Sequence, residues 1–343
     1  MKDEPKGGTR PPGESRGRDP AQSARTTRPE VGSHLLPRQR NQIALITLVA
    51  LAIFVVVRRL PTGTNLSHMD FRTSGKNSIE FCDPANPQFI PVVAMRSPVT
   101  MTLANATPAL AGAEVHAVLT LKTASGKPVT PEDLLVMHTR KLHLLIIDPT
   151  LTDYQHVHPQ PAHVAGDWQF HFRPQHSGRY RIFADFTPVA TGRGLYASVD
   201  LDVGGTAGMP LLRDQTLSDL RDAKPLSRSV ERDGYRFSLV AAQQPIRAGQ
   251  TVDLSFRITR ANGRVVPMES VMGAFAHLVA FDEARSGFAH LHPMETDLLK
   301  RPDPVSPQLS FKIMIPRPGR YVIWSQVNLA GREVFAPFWF EVL

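Results

Sequence analysis

Three histidines recur as a set at two places in the chain. The first set comprises His143, His156 and His158 within KLHLLIIDPTLTDYQHVHP. The second set comprises His277, His290 and His292 within FAHLVAFDEARSGFAHLHP, and each member follows its counterpart by 134 positions. A constant interval over several residues indicates a duplicated domain, and the histidine triad is the chemically distinctive part of the repeated unit.

The spacing of each triad suits metal coordination. Alternate residues of a strand share a face, so His156 and His158 project together. His143 lies on the preceding strand of a predicted hairpin. Pairing Asp148 with Tyr154 sets His143 on the wrong face, whereas a one-residue shift or a bulge brings it beside His158. Two imidazoles from one strand and a third from its neighbour suit a late first-row divalent metal.

Copper is the metal we expect, with zinc and nickel as alternatives. Asp148 and Asp282 follow the first histidine of each set by five residues and are candidates to accept hydrogen bonds from the ligating imidazoles. Met294, next to the second triad, is a candidate thioether ligand. Since ligation requires neutral imidazoles, affinity is expected to fall as pH drops through the ordinary histidine range near about 6.5.

The chain has a single cysteine, Cys82, which is a further candidate ligand. One cysteine excludes an intramolecular disulfide framework and any CxxC metal site. A blue-copper site is disfavoured because no histidine follows Cys82 until His116.

Two other interpretations of the histidines remain open. In the first, they are structural and the protein is a metal-free adhesion or assembly module. In the second, a three-histidine metal site activates water and the protein is a hydrolase. The sequence places no general acid beside the triads, which favours binding over turnover.

The chain after residue 98 has the pattern of an all-β protein. Apolar residues alternate with polar ones in AEVHAVLTLK and again in TVDLSFRIT, as in half-buried strands. Each copy supports seven short strands. They are predicted at 99–104, 113–122, 141–148, 154–158, 167–173, 178–186 and 195–203, and at 234–241, 250–259, 275–282, 287–292, 308–314, 319–327 and 333–342. Such a series predicts two tandem immunoglobulin-like β-sandwiches, at 99–203 and 231–343, joined by a linker at 204–230.

The segment before the repeats reads as a membrane attachment. Residues 1–40 carry nine Lys/Arg against five Asp/Glu and few apolar residues, which predicts a disordered basic arm. Residues 43–57 contain no charge, and a transmembrane anchor is predicted at 41–60 because no small-residue cleavage site follows. A proline-rich tether is predicted at 61–98. Arginines are more numerous before the helix than after it, which favours a cytoplasmic N-terminus and extracytoplasmic, periplasmic domains.

The sequence also limits the kinds of partner that we expect. No segment resembles a nucleic-acid-binding module, so the basic arm is not interpreted as one. A membrane protein is the expected partner, and nothing in the sequence defines an oligomeric state.

The tandem β domains with His…Asp…His-x-His-Pro, behind one N-terminal membrane helix, resemble the YtkA-like and FixH-like bacterial exported domains. The resemblance covers residues 99–203 and 230–343. It implies an immunoglobulin-like extracytoplasmic domain and an association with copper handling or respiratory-oxidase assembly. It transfers no catalytic residue.

Overall fold

The computed structural model describes residues 36–59, 66–71, 88–105, 107–205 and 229–343. The apolar segment forms helix α1, Pro37–Arg59, so the helix begins inside the predicted basic arm. The rest of that arm, residues 1–35, lies outside the described residues. By length and composition Pro37–Val57 can serve as a membrane anchor or a signal sequence.

The first repeat is a sandwich of two antiparallel sheets. Its strands are β1 Val99–Asn105, β2 Val115–Thr123, β3 Leu142–Ile147, β4 Tyr154–Val157, β5 Gln160–Pro161, β6 Asp167–Phe172, β7 Gly178–Phe186 and β8 Leu195–Val203. The outer sheet has the order β1-β2-β6-β5 and the inner sheet the order β4-β3-β7-β8.

The second repeat has the same architecture. Its strands are β9 Ser229–Arg232, β10 Tyr235–Ala241, β11 Thr251–Arg260, β12 Met268–Glu269, β13 His277–Asp282, β14 Phe288–Leu291, β15 Gln308–Met314, β16 Gly319–Leu329 and β17 Arg332–Val342. The outer sheet has the order β15-β11-β10-β9. The inner sheet has the order β12-β16-β13-β14, with β17 also paired to β16. The predicted all-β fold of two tandem immunoglobulin-like sandwiches is confirmed.

Helical structure after α1 is confined, in the described part of the chain, to four short 3-10 turns. They are His68–Phe71, Val92–Ala94, Pro131–Asp133 and Ala261–Gly263. Each sandwich is therefore held by side chains packed between its own two sheets. Strand β2 is an example: buried and more exposed residues alternate along it, and its buried apolar residues form the face that points into the sandwich.

A third apolar core lies between the two repeats. Strand β3 is buried along its whole length: Leu144 and Ile146 face the core of their own sandwich, while Leu145 and Ile147 face the second repeat. Val279, Phe281 and Phe288 meet them from the other side, and Phe183 packs 5.3 Å from Phe288 between ring centroids. Burying each such side chain contributes about 1.5–3 kcal/mol. The two inner sheets therefore pack face to face within one compact unit.

Parts of the predicted tether belong to this unit. Leu66 and Phe71 are buried in the core of the first repeat, and Phe89 is buried in the core of the second. The amide of Ile90 donates to the carbonyl of Phe288 at 2.8 Å, and the Phe288 amide donates back at 3.1 Å. Residues 66–71 and 88–94 therefore pack on the two sandwiches, through buried apolar side chains and backbone hydrogen bonds, and do not act as a simple spacer. In the predicted linker, residues 206–228 lie outside the described residues, and strand β9 begins before the predicted end of that linker.

Candidate metal centre

The register of the β3–β4 hairpin assembles the first triad. Tyr154 pairs with Ile147 instead of Asp148, and Leu144 pairs with Val157. This is the one-residue shift considered from the sequence. Continuing the register by one residue sets His143 opposite His158, on the face that points towards the second repeat. Strands β13 and β14 repeat the arrangement, with Leu278 opposite Leu291.

The distances in the first triad are close to those of a tetrahedral metal site. His143 Nδ1 lies 3.1 Å from His156 Nε2 and 3.2 Å from His158 Nε2. The three ring centroids are 5.3, 4.9 and 4.8 Å apart. Nitrogens 2.0–2.1 Å from one tetrahedral ion lie about 3.3 Å apart, and their ring centroids lie about 4.5–5.2 Å apart for angles of 90–109°.

The hydrogen bonds of the outer nitrogens determine which ring atoms face inward. His143 Nε2 lies 3.0 Å from the carbonyl oxygen of Met137, which only accepts, so the proton is on Nε2. Gln326 donates its amide to Glu333 at 2.8 Å and therefore turns its oxygen to His156 Nδ1, also at 2.8 Å. The proton of His156 is then on Nδ1. Two nitrogen lone pairs thus face each other at 3.1 Å, a contact that becomes favourable only around a cation.

The second triad repeats this geometry in a more buried setting. His277 Nδ1 lies 3.2 Å from His290 Nε2, and the ring centroids are 5.4, 4.9 and 4.7 Å apart. His277 Nε2 donates to the carbonyl oxygen of Val271 at 3.0 Å. His292 Nε2 is one of three buried side-chain polar atoms without a hydrogen-bond partner among the described residues. A buried unpaired nitrogen is costly, and a metal ion in the triad would use it.

Burial keeps these imidazoles neutral. It lowers the pKa of His143 to about 4, and the pKa values of His158 and His277 to about 3. It holds the pKa values of His156, His290 and His292 well below the ordinary value. Neutral imidazole is the form that ligates metals, so protons compete with a metal only below the ordinary titration range of histidine. For the folded protein, burial moves the expected loss of affinity from about pH 6.5 to lower pH, because desolvation disfavours the imidazolium.

The groups that orient the middle histidine of each triad come from the other repeat. Gln326 of the second repeat holds His156, and Asp185 of the first holds His290 Nδ1 at 3.1 Å. Burial raises the pKa of Asp185 to about 7, while that of His290 stays low, so this contact is a neutral imidazole against a carboxyl group rather than an ion pair.

The prediction that Asp148 and Asp282 accept hydrogen bonds from the ligating imidazoles is wrong. Asp148 accepts hydrogen bonds from the amides of Thr150, Thr152 and Asp153, and so closes the hairpin turn. Asp282 accepts from Ser286 in the same way. Both lie at the far end of their strands, and the turn amides use their oxygens.

The two triads adjoin each other across the repeats. The His156 and His290 ring centroids are 5.5 Å apart, and those of His143 and His290 are 6.0 Å apart. His138, which the sequence did not single out as a site residue, stacks on His292 with centroids 3.8 Å apart. It sits at the tip of a two-residue turn with φ +48°, and Met272 holds the equivalent position 134 residues later with φ +49°. The sequence could have pointed to His138, because its separation from Met272 is the same 134 residues that separates the two triads.

Two further candidate ligands came from the sequence, Met294 and Cys82. Met294 is 41% exposed, and its amide donates to the carbonyl of Ser310. Cys82 lies outside the described residues. A cavity of about 130 Å³ has His143 and His292, one from each triad, in its wall, together with His138 and Asp185.

Fold and site together define a tandem immunoglobulin-like protein with two three-histidine clusters that can each hold a metal ion. The chain belongs to the family described as "Domain of unknown function (DUF8832)", whose model matches residues 94–204 and 228–343. No curated protein matches the chain.

Two solved structures show distant similarity. Salmonella alpha-2-macroglobulin reacted with methylamine is 14% identical with a TM-score of 0.23, and the match covers 71% of this chain and 15% of that one. The Escherichia coli adhesin FdeC is 14% identical with a TM-score of 0.21, covering 71% of this chain and 64% of that one. The chain thus spans less than two thirds of either protein. Neither similarity bears on the function of this chain.

Proposed function

We propose that this protein binds two late first-row metal ions, one in each histidine triad, and that copper is the metal. The observation that carries the proposal is the convergence of the ring nitrogens of each triad, with nitrogen–nitrogen distances of 3.1–3.2 Å in a buried site. Sites built from neutral imidazoles suit copper, zinc and nickel, and among divalent ions copper binds such donors most tightly.

The proposed role is to hold and pass on the metal, or to sense it, outside the cytosol. The apolar helix Pro37–Val57 supports a membrane-anchored protein whose sandwiches lie on the extracytoplasmic, periplasmic side, with a membrane protein as partner. The resemblance to YtkA-like and FixH-like domains agrees with this role. The ring of His290 in the second triad lies 5.5–6.0 Å, between centroids, from two rings of the first triad. Two sites this close together suit a protein that binds two ions side by side.

Metal titration of the full-length chain tests the proposal. The protein is purified in detergent without a polyhistidine tag and equilibrated with Cu(II) or Zn(II), and weakly held metal is removed by dialysis. We expect two tightly held ions per chain. His156→Ala with His158→Ala should remove one, and His290→Ala with His292→Ala should remove the other.

His163→Ala is the matched control, because His163 is an exposed histidine between β5 and β6. It should leave the stoichiometry at two. If the two double variants retain as much metal as the control does, the triads are structural and the metal-free assembly module becomes the better interpretation.

An enzymatic role is the second candidate, and one observation favours it. Asp185 lines the 130 Å³ cavity beside both triads, and burial raises its pKa to about 7, in the range that suits proton transfer near neutral pH. A three-histidine metal site with an open position can activate water. Hydrolytic turnover that is lost in Asp185→Asn at a metal concentration that still saturates both sites would support this role. Loaded protein without turnover would favour binding alone.

A further inference from the structure

A second pair of histidines lies on the outer sheet of the first repeat. His116 on β2 pairs directly with His171 on β6, and both side chains are exposed. Their ring centroids are 5.8 Å apart at an interplanar angle of 39°. Two imidazoles that share a metal have centroids about 4.5–6.4 Å apart, depending on the angle at the metal. The pair is therefore already spaced for one ion.

A carboxylate adds to this pair. Glu114 lies immediately before β2, two residues before His116, and its Oε2 lies 3.6 Å from His116 Nε2. The side chains of His116 and Glu114 are 70% and 48% exposed. Two imidazoles and one carboxylate at an exposed position form a site that an ion can enter and leave quickly, unlike the buried triads.

A cleft joins the pair to the first triad. Its volume is about 650 Å³. The polar side chains that line it are His116, His171, His156, His158, Gln160 and Gln169. His158 is the one triad member that is only partly buried, so the cleft reaches the most accessible ligand of the first site.

The second repeat lacks such a pair. Asp253 and Lys312 hold the equivalent cross-strand positions on β11 and β15, and they form an ion pair at 2.6 Å. Asp253 and Lys312 bind each other, and neither provides an imidazole ligand for a metal. The pair on the outer sheet is thus specific to the repeat that contains the first triad.

We propose that His116, His171 and Glu114 form a surface site that captures the metal ion and loads the first triad through this cleft. The inference rests on the proposed function, because loading requires that the triad binds metal. A capture site raises the local concentration of ions at the cleft, and such effects increase association rates by roughly 10–10³-fold.

The test measures the rate of Cu(II) uptake by the full-length protein in detergent, mixed with copper held by a weak chelator. The variant is His116→Asp with His171→Lys, which places the ion pair of the second repeat on the first and so preserves the strand pairing. His163→Ala is the matched control. We expect uptake of one of the two ions to slow at least about tenfold, with the final stoichiometry still at two.

Two outcomes separate this inference from the proposed function. An uptake rate in the variant equal to that of His163→Ala overturns the capture site and leaves the triads untouched. Wild-type protein that takes up no tightly held copper removes the proposed function itself. In the variant His156→Ala with His158→Ala, the exposed pair should still bind one Cu(II) weakly, and further replacement of His116 and His171 should abolish that binding.

Discussion

Gln326 of the second repeat accepts a hydrogen bond from Nδ1 of His156 in the first repeat, at 2.8 Å. The reciprocal contact joins Asp185 of the first repeat to Nδ1 of His290 in the second, at 3.1 Å. Each sandwich therefore orients a ligand of the other. The duplication has produced one centre that needs both repeats, although each triad comes from a single hairpin.

Asp185 can ionise whereas Gln326 cannot, which predicts two unequal sites. Asp185→Asn should weaken metal binding at the second triad by about 10–100-fold, because it removes the carboxylate behind His290. Binding at the first triad should stay unchanged. Competition against a chelator, with His156→Ala and His158→Ala in the background to isolate the second site, measures the effect.

Gln326→Glu is the converse variant, and it is combined with Glu333→Gln so that two carboxylates do not face each other across the present 2.8 Å contact. It places a carboxylate behind His156 and should strengthen the first site while leaving the second alone. Equal responses of both sites to either substitution would show that the cross-repeat contacts do not act on individual ions.

The metal-free protein should lose stability in acid. The unfolded chain protonates its histidines below about pH 6.5, whereas burial holds the folded pKa values at about 4 for His143 and about 3 for His277. The unfolded state therefore binds more protons, and stability falls as pH drops from about 6.5 to about 4. Each buried imidazole contributes a slope of about 1.4 kcal/mol per pH unit. Urea unfolding at pH 7.5, 6.0 and 5.0 checks this.

Metal binding to the folded protein should respond less to pH than exposed histidines would. Three exposed ligands would lose up to about 10³-fold in affinity per pH unit below 6.5, because each must release a proton. The buried triads are already deprotonated between pH 7 and 5.5, so their affinity should change little over that range. Chelator competition at several pH values measures it, and a steep loss starting near pH 6.5 would contradict the burial of the triads.

Gly287 is a position where the segment before the first repeat passes close to the backbone of the second repeat. A Cβ at this residue would lie 1.8 Å from the carbonyl oxygen of Ile90, a backbone atom that has no rotamer to relieve the clash. Gly287→Ala should therefore cost on the order of 1–3 kcal/mol in free energy of unfolding. Gly205→Ala is the control, since a Cβ there meets nothing within 4 Å. A thermal unfolding curve of Gly287→Ala that matches the control would show that residues 88–93 do not pack on β14.

The proposed topology predicts opposite locations for the two ends of the chain. A reporter that is active only outside the cytosol should work when fused after Leu343. The same reporter fused before Met1 should be silent. Activity from the N-terminal fusion, or silence from the C-terminal one, would contradict a single-pass anchor with a cytoplasmic N-terminus.

The sequence by itself determined the strands and the duplication. Period-two alternation reports burial on one face of a strand, and the constant interval of 134 aligns the triads without any structure. It also brought His156 and His158 to one face, since that follows from strand geometry alone. The position of His143 needed the hairpin register, which a one-residue shift reverses, and only the structure pairs Leu144 with Val157.

Only the tertiary structure decided what surrounds the histidines. Gln326 lies 170 residues from His156, and Asp185 lies 105 residues from His290, so no local pattern connects them. Local spacing pointed to Asp148 and Asp282 instead, and their turns use those carboxylates. The pKa values of the triads depend on burial between two sheets, a property of the packed repeats that is absent from either hairpin alone.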